Sequence, residues 1–375
     1  MRRTLYGLAL PVYGFAALAW VLAVVLTLTA TTLGGRAAGV GFLAGLPGLV
    51  LLSLWPFVAS RGRLAGLLLS AVLPAGLGVS AWQSPTGASG DRFRSVWYGE
   101  VEYPRYALAN LVPEVDQFTL GGHVLVIDPA LDRPKRARLR GLFQAIYGDM
   151  RSDPDFVQAG STMSFAYRDV FGLPSRSDHL YLLLPEGPGP HPTALFLHGS
   201  LGNFKGYQWV LKDLAERCGV AIVSPDFGAG SWNLPEGLRV IQRTLAWMEA
   251  QPELRVGPMP LMGLSNGGRG VSRAALEWPE RWTGLVYFSG VIEPSLTPDI
   301  AALDLPVMVL DGGADARIPK AYTDQAVAHL DQLDRRTWRD EDHFLFFSEP
   351  QAMVDHAARA ICPFNPMSPE GPSPP

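Results

Sequence analysis

At 375 residues the chain has the length of two domains, and its composition places its two parts in different solvents. Residues 1–90 hold five arginines and no Asp or Glu, so all 35 acids fall in the remainder. That remainder is mildly acidic and lacks the basic face that nucleic-acid binding requires, so no nucleic-acid partner is expected.

Three uncharged apolar runs open the chain: Leu5 to Leu33, Ala37 to Ala59 and Leu64 to Trp82. Each is about as long as a bilayer span, which takes ~20 residues. Residues 1–82 are therefore expected to be a membrane anchor of three transmembrane helices, with the lipid bilayer as partner. A cleaved signal peptide would account for Arg2 and Arg3 but not for the two later runs. Arg2, Arg3, Arg61 and Arg63 outnumber Arg36, so the positive-inside rule puts the amino terminus in the cytoplasm and everything after Trp82 outside. No ionisable residue lies within a span, which argues against an ion pathway and for a plain anchor.

Residues 83–178 read as a linker and an amino-terminal extension of the soluble domain. Gln83 to Gly90 is rich in Ser, Gly and Pro. Phe118 to Ile127 carries strand-forming residues, and Leu139 to Met150 has apolar residues at helical spacing. The basic residues Arg133, Lys135, Arg136, Arg138 and Arg140 read as a solvated helix start, since no aromatic residues are interleaved.

From residue 179 to 360 short apolar runs alternate with amphipathic stretches, the pattern of a parallel sheet covered by helices. Strands are expected at His179–Leu184, Ala194–Leu197, Val220–Ser224, Pro260–Met262, Gly284–Phe288 and Pro306–Leu310. Helices are expected at Tyr207–Cys218, Gly237–Gln251, Gly267–Trp278 and Ala321–Leu333. Cys218 and Cys362 stand far apart with no metal-ligand spacing, and read as two separate thiols unless they meet outside the cytoplasm. No metal or cofactor motif is visible. Residues 361–375 are a Pro-rich tail, expected to be disordered.

Leu261 to Gly270 reads L-M-G-L-S-N-G-G-R-G. A serine between two glycines, after a strand and before a helix, fits the G-x-S-x-G elbow of an activated nucleophile, which makes Ser265 the candidate. The residue after it, Asn266, would give one backbone N–H to an oxyanion. The turn H-G-S-L-G-N would give another from Ser200, with Leu201 as the alternative. His198 reads as a structural residue of that turn. Asp315 in D-G-G-A-D-A-R-I-P is the candidate acid, with Asp311 as its rival, and His343 in D-H-F is the candidate base. Phe204, Tyr207, Phe227 and Trp232, with His198, are candidate pocket residues in loops after strands. Only about 17 residues separate Phe288 from Pro306, too few for an inserted cap, so the pocket is open or covered by residues 91–178.

With H-G-S-L-G-N, G-L-S-N-G, G-G-A-D-A-R-I-P and D-H-F in this order, residues 179–360 resemble the α/β-hydrolase superfamily, and the spacing is similar to its dienelactone hydrolase, prolyl oligopeptidase and esterase-like groups. The resemblance implies an α/β-hydrolase fold, a Ser265–His343–Asp315 triad and no cofactor. It further implies a small-molecule or peptide acyl substrate. Carboxylic ester hydrolysis is the leading expectation, with a peptidase or an inactive scaffold as alternatives. It leaves the oligomeric state open.

Overall fold

The computed structural model describes residues 2–55, 58–99, 102–124, 132–173 and 178–362, with side chains of the first helix from Tyr13 onward. Residues 363–375 of the Pro-rich tail and residues 125–127 of the segment read as strand-forming lie outside the described residues. The chain divides into two compact units, residues 1–86 with 104–147, and residues 87–103 with 148–375.

The first unit is helical. Its long helices are Arg2–Thr29, Leu33–Ser53 and Ser60–Gln83. Leu33–Ser53 and Ser60–Gln83 are long and apolar enough to cross a membrane, whereas the described apolar part of the first, Tyr13–Thr29, is shorter. Two helices, not three, thus meet the criterion among the described residues. These two pack antiparallel through glycine. A β-carbon on Gly48 would lie 2.4 Å from the Ser70 nitrogen, and one on Gly76 would lie 2.4 Å from the Ala37 carbonyl oxygen. Such small-residue seams let two helix backbones approach closely. Leu49, Leu64, Leu67, Leu68 and Trp82 are exposed on the outside.

The segment expected to be strand-forming around Phe118 is instead the helix Glu114–Val124, with Glu114 and Asp116 in its first turn, where the helix dipole favours acids. Tertiary contacts decide against local β-propensity here. Asp116 is buried, and its carboxylate accepts from the Thr31 backbone N–H at 2.6 Å, the Thr32 N–H at 3.3 Å and both threonine hydroxyls. Thr32 in turn caps the helix Leu33–Ser53 by accepting from the Gly35 N–H at 2.9 Å.

Among the described residues the second unit is built on nine strands: β1 Phe93–Trp97, β2 His179–Leu183, β3 His191–Leu197, β4 Ala221–Pro225, β5 Leu254–Arg255, β6 Met259–Leu264, β7 Trp282–Phe288, β8 Val307–Gly312 and β9 Leu333–Trp338. Their order is β1-β2-β4-β3-β6-β7-β8-β9, with β5 beside β3. The β1–β2 and β2–β4 pairs are antiparallel and the others parallel. All residues of β2, β4, β6 and β8 are buried, which explains why these strands read as unbroken apolar runs.

The two edges were illegible. β1 lies in the stretch read as an extension, and β9 spans L-D-R-R-T-W, where a helix was expected to run through Leu333; that helix stops at Val327. An edge strand needs only one buried face and tolerates charges that block further pairing. The two cysteines, whose pairing the sequence left open, are joined as the disulfide Cys218–Cys362, with a Cα–Cα distance of 4.5 Å. It ties the end of the helix Lys205–Cys218 to the end of the helix Pro350–Ile361.

Candidate active site

Ser265 stands between β6 and the helix Gly267–Glu277, with φ at +50°. A non-glycine residue in that region is strained, and the surroundings hold it there. Its N–H donates to the Phe288 carbonyl at 3.0 Å, and its carbonyl accepts from the Val291 N–H at 2.8 Å. The flanking glycines are required by space. A β-carbon on Gly263 would lie 2.6 Å from the Gly267 carbonyl carbon, and one on Gly267 would lie 2.1 Å from the Leu197 oxygen.

The loops after β8 and β9 bring the other two candidates to this serine. His343 Nε2 lies 2.9 Å from Ser265 Oγ, and Nδ1 lies 2.8 Å from Asp315 Oδ2. Since a carboxylate only accepts, the proton belongs on Nδ1 and Nε2 faces the serine hydroxyl as an acceptor. The other carboxylate oxygen, Asp315 Oδ1, accepts from the N–H groups of Arg317 at 2.7 Å and Ile318 at 2.9 Å. Asp311 is committed elsewhere. Its oxygens accept from the Arg335 guanidinium and from Thr337 Oγ1 at 2.5 Å, which separates the two acids that the sequence left as rivals.

The turn after β3 is fixed by buried polar groups. His198 is fully buried: Nδ1 donates to the Gly199 carbonyl at 2.7 Å, and Nε2 accepts from the Phe227 N–H at 3.0 Å. Burial pushes its pKa down to about 4, so the ring stays neutral and both bonds persist. Asn203, passed over in the sequence though it ends H-G-S-L-G-N, donates to the Ser224 carbonyl at 2.9 Å. It also accepts from Gln208 at 3.0 Å, and its carbonyl accepts from Thr162 Oγ1 at 2.9 Å. The Leu201 N–H is spent on the Ala229 carbonyl at 3.2 Å. Among the described residues, the backbone N–H groups of Ser200 and Asn266 have no acceptor within the protein.

The other pocket candidates divide. Trp232 is fully buried with its indole N–H on the His198 carbonyl at 2.8 Å, so it supports the turn and, like His198, cannot line an open pocket. Phe227 packs on Trp232, with ring centroids 5.1 Å apart, and Phe204 stacks on Tyr207 at 3.9 Å. The helix Met163–Val170 lies over this turn: the Cβ position of Gly202 is 3.0 Å from Ala166 Cβ and 3.3 Å from Met163 Sδ. Asp169 Oδ2 accepts from the Ala229 N–H at 2.9 Å. A separate cavity of about 420 Å³, lined by Arg92, Asp153, Trp209 and Lys212 among others, lies by the start of β1, remote from Ser265.

A mostly parallel mixed sheet with a serine on the strand-to-helix turn of a central strand is the α/β-hydrolase arrangement. No protein-family model matches the chain. Solved structures similar to it include a fluorophosphonate-binding serine hydrolase of Staphylococcus aureus (16% identity, TM-score 0.42, covering 48% of this chain and 91% of that one). Others are Est1E from Butyrivibrio proteoclasticus (14%, 0.41, 48% and 93%) and a predicted CIB-like hydrolase from Thermoplasma acidophilum (14%, 0.40, 48% and 91%). These likenesses are partial, and the fold assignment rests on strand order and the elbow.

Proposed function

We propose that this chain is a membrane-anchored serine hydrolase that cleaves a carboxylic ester through an acyl-enzyme. The observation that carries this reading is the unbroken hydrogen-bonded line Ser265 Oγ–His343–Asp315 Oδ2, with links of 2.9 and 2.8 Å, beside two backbone N–H groups without protein acceptors. His343 Nε2 takes the hydroxyl proton as Ser265 Oγ bonds to the ester carbonyl carbon. The carbonyl oxygen becomes an oxyanion, held by the N–H groups of Ser200 and Asn266. Asp315, fixed by two backbone donors, stabilises the imidazolium. Collapse breaks the bond to the alkoxy group, which leaves as an alcohol with the proton from His343. Water, deprotonated by the same histidine, then releases the acid and restores Ser265.

The anchor reading rests on the first unit. Its glycine seams and outward leucines are those of helices solvated by lipid, since a soluble protein rarely exposes so wide an apolar surface. The helix Leu33–Ser53 has 21 residues, or about 31 Å at 1.5 Å each, enough for a hydrocarbon core of ~30 Å. Phe15, Leu18 and Leu28, exposed on the first helix, support a third span. The arginine asymmetry supports an extracytoplasmic catalytic unit, and the Cys218–Cys362 disulfide agrees with an oxidising compartment.

Incubation of the detergent-solubilised chain with a fluorophosphonate and with p-nitrophenyl esters of increasing acyl length tests the reading. An adduct on Ser265, with ester turnover lost in Ser265→Ala, is the expected result. No adduct in folded protein points to an inactive scaffold, and cleavage of peptides without cleavage of esters points to a peptidase.

A further inference from the structure

Residues 148–173 add no strand to the sheet, yet they are fastened beside the turn that carries the Ser200 N–H. Lys205 Nζ donates to the carbonyls of Phe156 at 3.0 Å and Ala159 at 2.9 Å, and Thr162 Oγ1 donates to the Asn203 carbonyl at 2.9 Å. Near the start of the segment, Lys212 Nζ lies 2.6 Å from Asp153 Oδ2. Asp169, near its end, reaches a different turn, residues 227–230 after β4.

Asp169 lies in the last turn of the helix Met163–Val170, where the helix dipole disfavours an acid, so the stability of that helix does not account for it. Its Oδ2 accepts from the Ala229 N–H at 2.9 Å. The Cβ position of Gly228 lies 2.9 Å from the same oxygen and 3.1 Å from Asp169 Cγ, so the carboxylate closes on this turn only because residue 228 has no side chain.

The turn held in this way touches both sides of the oxyanion site. The Phe227 N–H donates to His198 Nε2 at 3.0 Å, the Ala229 carbonyl accepts from the Leu201 N–H at 3.2 Å, and the Gly230 carbonyl accepts from Asn266 Nδ2 at 2.9 Å. A β-carbon on Gly230 would lie 2.5 Å from the Gly199 oxygen. Ser200, which carries one oxyanion donor, thus stands between Gly199 and Leu201, both resting on this turn, and Asn266, which carries the other, is tied to it by its side chain. Ala229 is the link, with its N–H on Asp169 and its carbonyl on Leu201.

We infer that Asp169 is a positioning residue for the oxyanion site: through Ala229 and Leu201 its carboxylate sets the direction of the Ser200 N–H. This rests on the hydrolase reading of Ser265. Leu201 has φ at +76°, a strained conformation for a leucine that persists only while its neighbours hold it, and its N–H bond to Ala229 is one of those holds. Asp169 touches no reacting atom and passes no proton. It keeps a donor aimed before substrate arrives, the condition under which an oxyanion donor is effective.

Three variants of the full chain test this. Asp169→Ala removes the acceptor, Asp169→Asn keeps an accepting oxygen without the charge, and Asp153→Ala loosens the same segment at its Lys212 contact. Active enzyme is counted by fluorophosphonate titration of Ser265, so a misfolded fraction does not enter the rates. Asp169→Ala should lose about 10-fold in kcat and in kcat/KM together, less than the ~10²- to 10³-fold of removing a donor outright. Its affinity for a trifluoromethyl ketone that adds to Ser265 should fall in parallel. Asp169→Asn and Asp153→Ala should stay within threefold of wild type. A kcat of Asp169→Ala within threefold of wild type overturns the proposal, as does a rise in KM at constant kcat. An equal loss in Asp169→Asn overturns it by assigning the effect to the charge, and an equal loss in Asp153→Ala by assigning it to attachment of the segment in general. A wild-type chain inert to both fluorophosphonate and esters would remove the hydrolase reading and this proposal with it. An active wild type with an unaffected Asp169→Ala removes only the role of Asp169.

Discussion

In the helical unit, Leu33–Ser53 and Ser60–Gln83 meet through glycines and turn leucines outward, while in the catalytic unit β3, β6 and β7 meet beneath a core of leucine, valine and methionine. The same residue type thus serves two purposes. Gly48 lets two helix backbones touch, whereas Gly263 and Gly267 let a strand and a helix close on either side of a strained serine. Apolar side chains are placed differently: they turn inward in the sheet, whereas several leucines turn outward on the helices. In the helical unit a buried carboxylate, Asp116, is fixed on Thr31 and Thr32. In the sheet unit polar groups form the hydrogen-bonded line from Ser265 through His343 to Asp315.

The largest expected effect separates two acids, Asp311 at the end of β8 and Asp315 in the loop after it. Asp315→Asn should lower kcat by about 10³- to 10⁴-fold with little change in stability, because it leaves His343 wrongly protonated. Asp311→Ala should keep kcat within tenfold and cost about 2 kcal/mol, because it leaves the Arg335 guanidinium with Asp324 alone and Thr337 Oγ1 without its acceptor. Steady-state ester kinetics and chemical denaturation of both variants measure this, and the reverse pattern would assign the acid to Asp311.

The disulfide comes next. Its cysteines are 144 residues apart, so removing it with Cys218→Ala and Cys362→Ala should cost about 4–5 kcal/mol on chain-entropy grounds. Thiol counting by intact mass and denaturant midpoints check both the bond and its effect, and an unchanged midpoint would deny it this role.

Acid should weaken the catalytic unit through two buried histidines. Burial lowers the folded pKa of His198 to about 4 and of His179 to about 3, below the ordinary value of 6.5. Below pH 6.5 the unfolded chain binds protons that the folded chain cannot, so this stability is present at neutral pH and lost as pH falls toward those values. At pH 5 the loss should be about 2 kcal/mol per histidine. Unfolding free energies of wild type and His198→Gln at pH 7 and pH 5 measure it, the variant losing about half of the slope.

The smallest effect compares the units directly. Gly48→Ala and Gly263→Ala each force a β-carbon against backbone and should each cost about 1–3 kcal/mol. Only Gly263→Ala should also lower kcat, by about 10²-fold, since it displaces the nucleophile. Equal kinetics in the two variants, counted per titrated Ser265, would dissolve the distinction between the units.

What could be read in advance depended on how local the physical cause was. The buried central strands were legible because both faces are apolar, and the elbow because only glycine fits beside Ser265. The order Ser265, Asp315, His343 was legible from residue types at strand ends, where side chains from separate strands converge. β9 was not, because L-D-R-R-T-W needs only one buried face and carries its charge as edge protection. The helix Glu114–Val124 was misread because its β-formers are held helical by distant partners, among them Thr31 and Thr32.

The sequence by itself determined the apolar runs, the alternating strands and helices, and the chemistry available at Ser265, since each follows from side-chain type and near-neighbour spacing. Only the tertiary structure decided that Asp315 rather than Asp311 faces His343 and that Cys218 meets Cys362. Both depend on which distant segments the packed sheet and its helices bring within a few ångströms of one another, and no local spacing encodes that.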